Sequence, residues 1–462
     1  MELKSNIIKN TFKNNWMFFI LMTQPLLDIV AFFTFNKNIT IISFTIRSLY
    51  LLIIITYGFF TVKNRGSYFK FIVPWIMFSA LHILNSIRTS GVFIFDDVRY
   101  ITIVMQMPFI AITVIFLAFE DDSITKQIQK GIVCAFIIIF ISVIISLITH
   151  TGKTTYYGYG LNGWFTSPNA QSMILSTITP VSLYISLKKN IYYLLVSSMA
   201  FILLFFNGTR ACFYTLILTL ILFLYILFVD KKIRIRKCAI IITICFLLIT
   251  PILSKYSTAY TREKDIQKNT KQYIFDKDKI NDKNYALKVL NKSPLTKQMV
   301  SDLGFEWTYN NMKENISAYN LSDNRLVKRM YAKYIYQNSD FITKLVGFNH
   351  SEIESYGKDL ENDLTAIFYY YGYIGTSLFI IYLIFCFKHA FLLIFKKPKI
   401  LLDSRFIVFG YTILIAIAGS EYSGALLRKP NANIYISVII ALFYIYTAKI
   451  ISKSTIDDVQ IK

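Results

Sequence analysis

The sequence predicts an all-α polytopic membrane protein with about twelve transmembrane helices and one large water-exposed loop. Three observations lead there. Of 462 residues, 55% are hydrophobic and only 16% are charged, against roughly 25% charged in a soluble domain. The apolar residues fall in blocks of about 17–25, the length of helix that spans hydrocarbon. The blocks lack the strict apolar–polar alternation of a transmembrane barrel.

The blocks are 16–35, 39–61, 71–87, 100–119, 131–149, 172–187, 191–206, 211–229, 238–254, 364–386, 406–420 and 432–450. The first follows a lysine-bearing N-terminus and lacks a small-residue cleavage site. It therefore reads as a retained helix rather than a signal peptide. The chain divides into a membrane domain over 1–254, a large loop over 255–363 and a second membrane domain over 364–462. The loop lies between the ninth and tenth predicted helices.

The formal charge of +22 raises the question of nucleic acid, and its placement argues against it. With the N-terminus inside, Lys and Arg concentrate in the inner loops. Lys231, Lys232, Arg234, Arg236 and Lys237 form one inner cluster, and Lys388, Lys396, Lys397, Lys399 and Arg405 form another. The 120–130 loop, with Glu120, Asp121 and Asp122, follows this bias least. Both termini are thus expected in the cytoplasm and the large loop outside. The clusters suit topology and contact with anionic membrane lipids, and no nucleic-acid partner is expected. The five cysteines, Cys134, Cys212, Cys238, Cys245 and Cys386, lie in or beside apolar blocks, and the large loop has none. No disulfide framework and no structural metal site are expected. The Lys-, Asn- and Ile-rich composition suggests an AT-rich bacterial genome, and hence a bacterial cytoplasmic membrane.

In the large loop, Leu326, Val327, Met330, Tyr331, Tyr334 and Ile335 recur at three- and four-residue spacing behind Ser322 and Asp323. This predicts a capped amphipathic helix that packs a small subdomain, lies on the membrane surface or covers a cleft. Residues 156–171 read YYGYGLNGWFTSPNAQ. Gly158, Gly160, Gly163 and Pro168 exclude a long helix there. Tyr156, Tyr157, Tyr159, Trp164 and Phe165 fit an interfacial aromatic belt or a sugar-stacking surface.

Arginines recur on the expected outer side. Arg210 follows NGT at the start of a helix, where a guanidinium fork beside unpaired backbone N–H groups suits a phosphate. Arg47 lies inside the second block, where an arginine is costly and by default a functional candidate, unless it snorkels to the interface. Arg88, Asp96, Asp97 and Arg99 flank another outer loop and are placed to pair with one another. Asp28, mid-block after Gln24 and Pro25, requires a polar partner. The outer arginines together suggest an anionic headgroup handled outside the membrane.

These segments resemble the superfamily of O-antigen polymerases and O-antigen ligases (Wzy- and WaaL-like proteins). GWFTSPNAQS at 163–172 is similar to the family's glycine–aromatic–x–x–Pro–Asn segment, and NGTRACF at 207–213 to its small-residue–Arg segment. SDNRLVKRMYAKYI at 322–335 is similar to the arginine-led helix of the large loop, and VGFN at 346–349 to the glycine turn that follows. ENDLTAIFYYYGYIG at 361–375 resembles the segment entering the next helix, with QPLLD at 24–28 and AGSEYSG at 418–424 as weaker matches. The resemblance covers most of the chain.

The resemblance implies a GT-C-like, metal-independent inverting glycosyltransferase with no cofactor. Its implied donor is a glycan on a polyprenyl diphosphate, and its acceptor a glycan, a lipid or a wall anchor. Other polysaccharide-export proteins are expected partners. Carried over position by position, Arg210 and Arg325 match motif arginines that hold the diphosphate, with Arg47 a weaker third. Asn169 and Trp164 stand in the substrate-binding segment. Counted back from Gly372, the position where many family ligases carry a histidine is Glu361 here. That departure argues against a lipopolysaccharide ligase. The candidate base is Glu361, followed by Asp363 and His350; capping of the tenth helix is the alternative role for the two acids. Three functions follow: polymerase of lipid-linked repeat units, ligase using the same donor, or a transporter or flippase without chemistry.

Overall fold

The computed structural model describes residues 15–34, 40–156, 158–188, 192–270, 275–276, 278–315, 324–422 and 426–460. Among them, eleven helices are long and apolar enough to cross a membrane. They account for every expected block except 191–206. That block forms the helix Tyr193–Phe206, of 14 residues. Such a helix rises about 21 Å, short of the roughly 30 Å of hydrocarbon. It begins after Tyr192 at φ 73° and ends at a turn with Gly208 at φ 87°.

The chain forms two compact units. The first comprises Met1–Met77, Thr102–Ala259 and Leu378–Lys462; the second comprises Phe78–Ile101 and Tyr260–Ser377.

The first unit is built around the helix Pro168–Lys188, which is 94% buried over its most apolar window. That helix buries Gln171, Ser172, Ser176, Thr177, Thr179 and Ser182. Small polar residues let neighbouring backbones approach and bond across helices. Thr215 Oγ1, on Arg210–Val229, donates to Ser176 Oγ at 2.9 Å. Close approach also sets the seam between Trp16–Thr34 and Ser123–Ile148. A Cβ on Gly131 would stand 2.9 Å from the Leu21 Cβ. Outward positions such as Leu52, Leu248 and Ile252 stay exposed, as lipid-facing residues do.

One small departure from the all-helical expectation lies in this unit. Lys153–Tyr156 and Tyr159–Gly163 form an antiparallel pair. Gly158 and Gly160 adopt φ 92° and 80°, which glycine tolerates without penalty. A Cβ on Gly160 would overlap the Asn207 carbonyl oxygen, so the pair packs directly on the NGTR turn. The glycines that exclude a helix here also shape this ribbon.

The second unit is a set of short helices. Asn324–Asn338 buries Leu326, Val327, Met330, Tyr331, Ala332 and Ile335. The expected apolar face is therefore present, with Ala332 added and Tyr334 only half-buried, its ring edge-on to Trp307. The cap candidates Ser322 and Asp323 lie outside the described residues, as does Tyr157. Tyr331 is fully buried and donates to Asp302 Oδ2 at 2.5 Å. Asp340 caps Phe341–Val346 by accepting from the Thr343 N–H at 2.9 Å. Asn349 and Glu352 form a reciprocal capping box on His350–Glu354. These caps satisfy donors that short helices otherwise leave open.

Candidate active site

In the second unit, the helix Asn324–Asn338 presents Arg325, Lys328 and Arg329. Residues three and four apart share a helix face. Arg325 Nε donates to Glu361 Oε2 at 2.9 Å, and Lys328 Nζ donates to Glu361 Oε1 at 2.6 Å. Each carboxylate oxygen therefore has its own cation. Burial pushes the Glu361 carboxyl up, but the hydrogen bonds and charges of Lys328 and Arg325 outweigh it and hold it below its ordinary value. The Arg329 Nε is buried and donates no hydrogen bond among the described residues.

Glu361 lies in a non-helical stretch just before Asp363–Lys396. Leu360 before it and Asp363 after it are both fully buried, so the backbone is anchored on either side. The Glu361 side chain itself keeps 30% exposure, against 14% for Lys328 and 30% for Arg325. Asp363 opens its helix from a sealed position, which suits capping better than contact with a substrate.

His350 begins the helix His350–Glu354 and stacks on Tyr100, with ring centroids 4.4 Å apart. Its Nδ1 stands 3.6 Å from Glu354 and its Nε2 3.6 Å from Asp359. Asp97 holds this helix in place. It accepts from the Ser351 N–H and Oγ, both at 2.9 Å, and from Ser86 Oγ at 2.7 Å. The expected pairing among Arg88, Asp96, Asp97 and Arg99 is thus only partly present. Arg99 meets Asp96 at 3.6 Å, whereas Arg88 pairs with Asp340 at 2.6 Å. Asp97 bonds to serines because those donors, not an arginine, share its buried position.

The remaining candidates belong to the first unit. Arg210 is the exposed first residue of Arg210–Val229. Thr209 caps that helix by accepting from the Cys212 N–H at 3.2 Å. A Cβ on Gly208 would stand 3.0 Å from the Gly160 Cα, so the strand pair supports the turn that carries Arg210. Asn169 is half-buried in the first turn of Pro168–Lys188. Trp164 is also half-buried; its Nε1 donates to Thr151 Oγ1 at 2.8 Å and its ring lies 5.3 Å from that of Phe33.

Arg47 is buried in a helix seam. It donates to Asp28 Oδ1 at 2.7 Å, Gln24 Oε1 at 3.0 Å, Ser43 Oγ at 2.5 Å and the Gln24 carbonyl at 3.3 Å. Asn431 Nδ2 donates to the other Asp28 oxygen at 3.0 Å. The partner that Asp28 requires is therefore Arg47 itself. Nearly every guanidinium N–H is engaged, and the cluster ties together Trp16–Thr34, Thr40–Thr61 and Pro430–Gln460.

Sequence reasoning missed Lys328, although it stands one helical turn from Arg325 on the same face. It also missed buried amides at the strand pair and its neighbours. Both amide atoms of Gln171, Asn162 Oδ1 and Asn207 Nδ2 have no hydrogen-bond partner among the described residues. No group of three or more His, Cys, Asp or Glu among the described residues is placed to hold a metal ion.

A cluster of two cations on one accessible carboxylate is suited to exchanging that carboxylate for another anion. The family described as "O-antigen ligase like membrane protein" matches residues 9–450. A search of curated proteins found no match. The chain belongs to the O-antigen ligase-like family of membrane proteins.

Proposed function

We propose that the protein is an inverting glycosyltransferase that polymerises polyprenyl-diphosphate-linked repeat units into a surface polysaccharide on the outer side of a bacterial cytoplasmic membrane. The family supports a membrane enzyme of surface-glycan assembly. The inner lysine and arginine clusters support an orientation with both termini in the cytoplasm and residues 255–363 outside.

The observation that carries the reading is the convergence of Arg325 and Lys328 on the carboxylate of Glu361. Two cations held side by side on one helix face suit a diphosphate. In the proposed reaction the acceptor hydroxyl attacks the anomeric carbon from the side opposite the leaving group. Charge then builds on the departing diphosphate, and Arg325 and Lys328 stabilise it by charge-assisted hydrogen bonds. Cationic side chains take the role that a divalent ion fills in many diphosphate-releasing enzymes. Glu361 is the proposed base, with His350 and Asp363 ranked behind it.

Arg210 is separately assigned to phosphate contact, on its motif and its exposed place at a helix start. Trp164 and Asn169 are assigned to the glycan on their motif. Arg47 is assigned to structure rather than substrate, because its donors are engaged by Asp28, Gln24 and Ser43.

A second reading compatible with the matched family is a ligase that transfers finished glycan from the same carrier to a lipid or wall acceptor. Glu361, at the position where many family ligases carry a histidine, argues against a lipopolysaccharide ligase. The lipid-linked pool of a deletion strain tests this choice. Accumulated single repeat units support the polymerase, and accumulated long chains support the ligase.

A further inference from the structure

The ion pair at Glu361 differs from the buried Arg47–Asp28 pair. Arg47 and Asp28 are sealed, with side chains 8% and 9% exposed. Such a pair, once partnered and buried, has no reason to open. The side chains of Arg325 and Glu361 each keep 30% exposure, and that of Lys328 keeps 14%. Their geometry is that of a phosphate site with a carboxylate in it. Two oxygens of one anion each take a separate cation, at 2.9 and 2.6 Å. Non-bridging phosphate oxygens accept the same bonds and bring more charge.

Arg325 and Lys328 lie on one helix face and converge on the same carboxylate. Glu361 is also able to move without unfolding its surroundings. Its backbone is pinned by buried Leu360 and Asp363, while its own side chain is only half-buried. Rotation about its χ angles, between staggered wells, withdraws the carboxylate from the two cations.

We propose that Glu361 occupies the phosphate position between Arg325 and Lys328 in the resting protein, and that the donor's diphosphate displaces it and thereby frees it to take the acceptor's proton. This rests on the diphosphate reading given above. The acceptor hydroxyl oxygen forms a bond to the anomeric carbon as the bond from that carbon to the diphosphate oxygen breaks. The electron pair of the broken bond stays on the diphosphate, facing Arg325 and Lys328. The hydroxyl proton passes to Glu361. After the polyprenyl diphosphate leaves, Glu361 gives the proton to water and re-forms its pair. The same carboxylate therefore competes with the product and speeds its release. It also marks Lys328 as a diphosphate ligand equal to Arg325.

The test uses the full-length protein in lipid nanodiscs, with farnesyl diphosphate as the binding probe. Glu361→Gln removes the internal competitor while keeping the side-chain shape. Glu361→Asp keeps the charge but draws it back by one methylene. Both variants are expected to bind the probe about three- to tenfold more tightly than the wild type, the smaller gain falling to Asp. Arg325→Ala and Lys328→Ala are expected to bind it at least about tenfold more weakly. Glu361→Gln is also expected to lose transfer while gaining affinity. If Glu361→Gln does not fold, tighter binding by Glu361→Asp supports the proposal and unchanged or weaker binding overturns it. Weaker or unchanged binding by folded Glu361→Gln, with Arg325→Ala and Lys328→Ala still impaired, overturns the stand-in role and leaves the diphosphate reading in place. Wild-type binding by both Arg325→Ala and Lys328→Ala overturns the diphosphate reading itself.

Discussion

Gly347 and Gly372 meet backbone to backbone: a Cβ on Gly372 would stand 2.5 Å from the Gly347 nitrogen. Gly372 adopts φ 58°, ψ −160°, a break inside Asp363–Lys396 that only glycine adopts readily. Gly347 lies at φ 89°, and a Cβ on it would overlap the Tyr370 carbonyl. The break leaves the Tyr369 carbonyl to accept from the Phe348 N–H at 3.2 Å. The VGFN turn is thereby fastened to the helix that follows Glu361.

Gly372→Ala is expected to destabilise the protein by about 3 kcal/mol or more, from the backbone conformation together with overpacking. Gly66→Ala is the control. Nothing lies within 4 Å of a Cβ there, and the change is expected to stay within about 1 kcal/mol. Thermal unfolding in detergent compares the two. Equal melting of Gly372→Ala and wild type would remove the argument for the glycine contact.

The Asp28–Arg47 cluster predicts a different pattern. Removing either partner alone leaves a buried charge and is expected to cost about 3–5 kcal/mol. The double change Asp28→Asn with Arg47→Gln is expected to recover part of that loss. Folded yield and melting temperature read the cycle. A well-folded Arg47→Ala that has lost carrier binding would return Arg47 to the substrate site.

Asp97→Asn is expected to loosen His350–Glu354 without unfolding the unit. Amide hydrogen exchange over residues 349–355 should speed up by about tenfold, the sign of a local opening made easier. Unchanged exchange there would mean that the bonds to Ser351 do not hold the helix.

The pH dependence follows from Glu361. Its carboxyl is held below its ordinary value of 4.5. The stability it contributes is therefore present above that value and is lost as pH falls through the lower, folded-state value. Glu352 works in the other direction: burial first of all holds its carboxyl above the ordinary value, so its contribution is present in acid and lost as pH rises. Glu361→Gln is expected to melt below wild type at pH 7 and to approach it in acid. A gap that stays constant with pH would show that the pair does not contribute through the Glu361 charge.

Much of this architecture was legible in the sequence. A span demands an apolar block of helical length, so eleven of the twelve blocks are helices long enough to cross. The exception, Tyr193–Phe206, is apolar but for Ser197 and Ser198 and is cut short by an ending the hydropathy does not register. The face of Asn324–Asn338 was also legible, because helical spacing is local. Pairings were not. Arg325 and Glu361 were both visible as candidates, but as a cation and a base with separate tasks. What joins them is the path of the chain between 338 and 361, which no periodicity encodes. Likewise Asp28 and Arg47 each stood out as costly, and only the packing of two helices makes them one cluster. The sequence of 156–171 excludes a long helix but does not reveal the strand pair at its start, because those strands are too short to show alternation.

Turnover by purified protein in nanodiscs supplied with polyprenyl-diphosphate-linked repeat units tests the proposed role of Arg325 at the diphosphate. Wild type is expected to join the units and release polyprenyl diphosphate, and folded Arg325→Ala to do so at least about 100-fold more slowly. A folded Arg325→Ala that joins units at the wild-type rate would rule that role out.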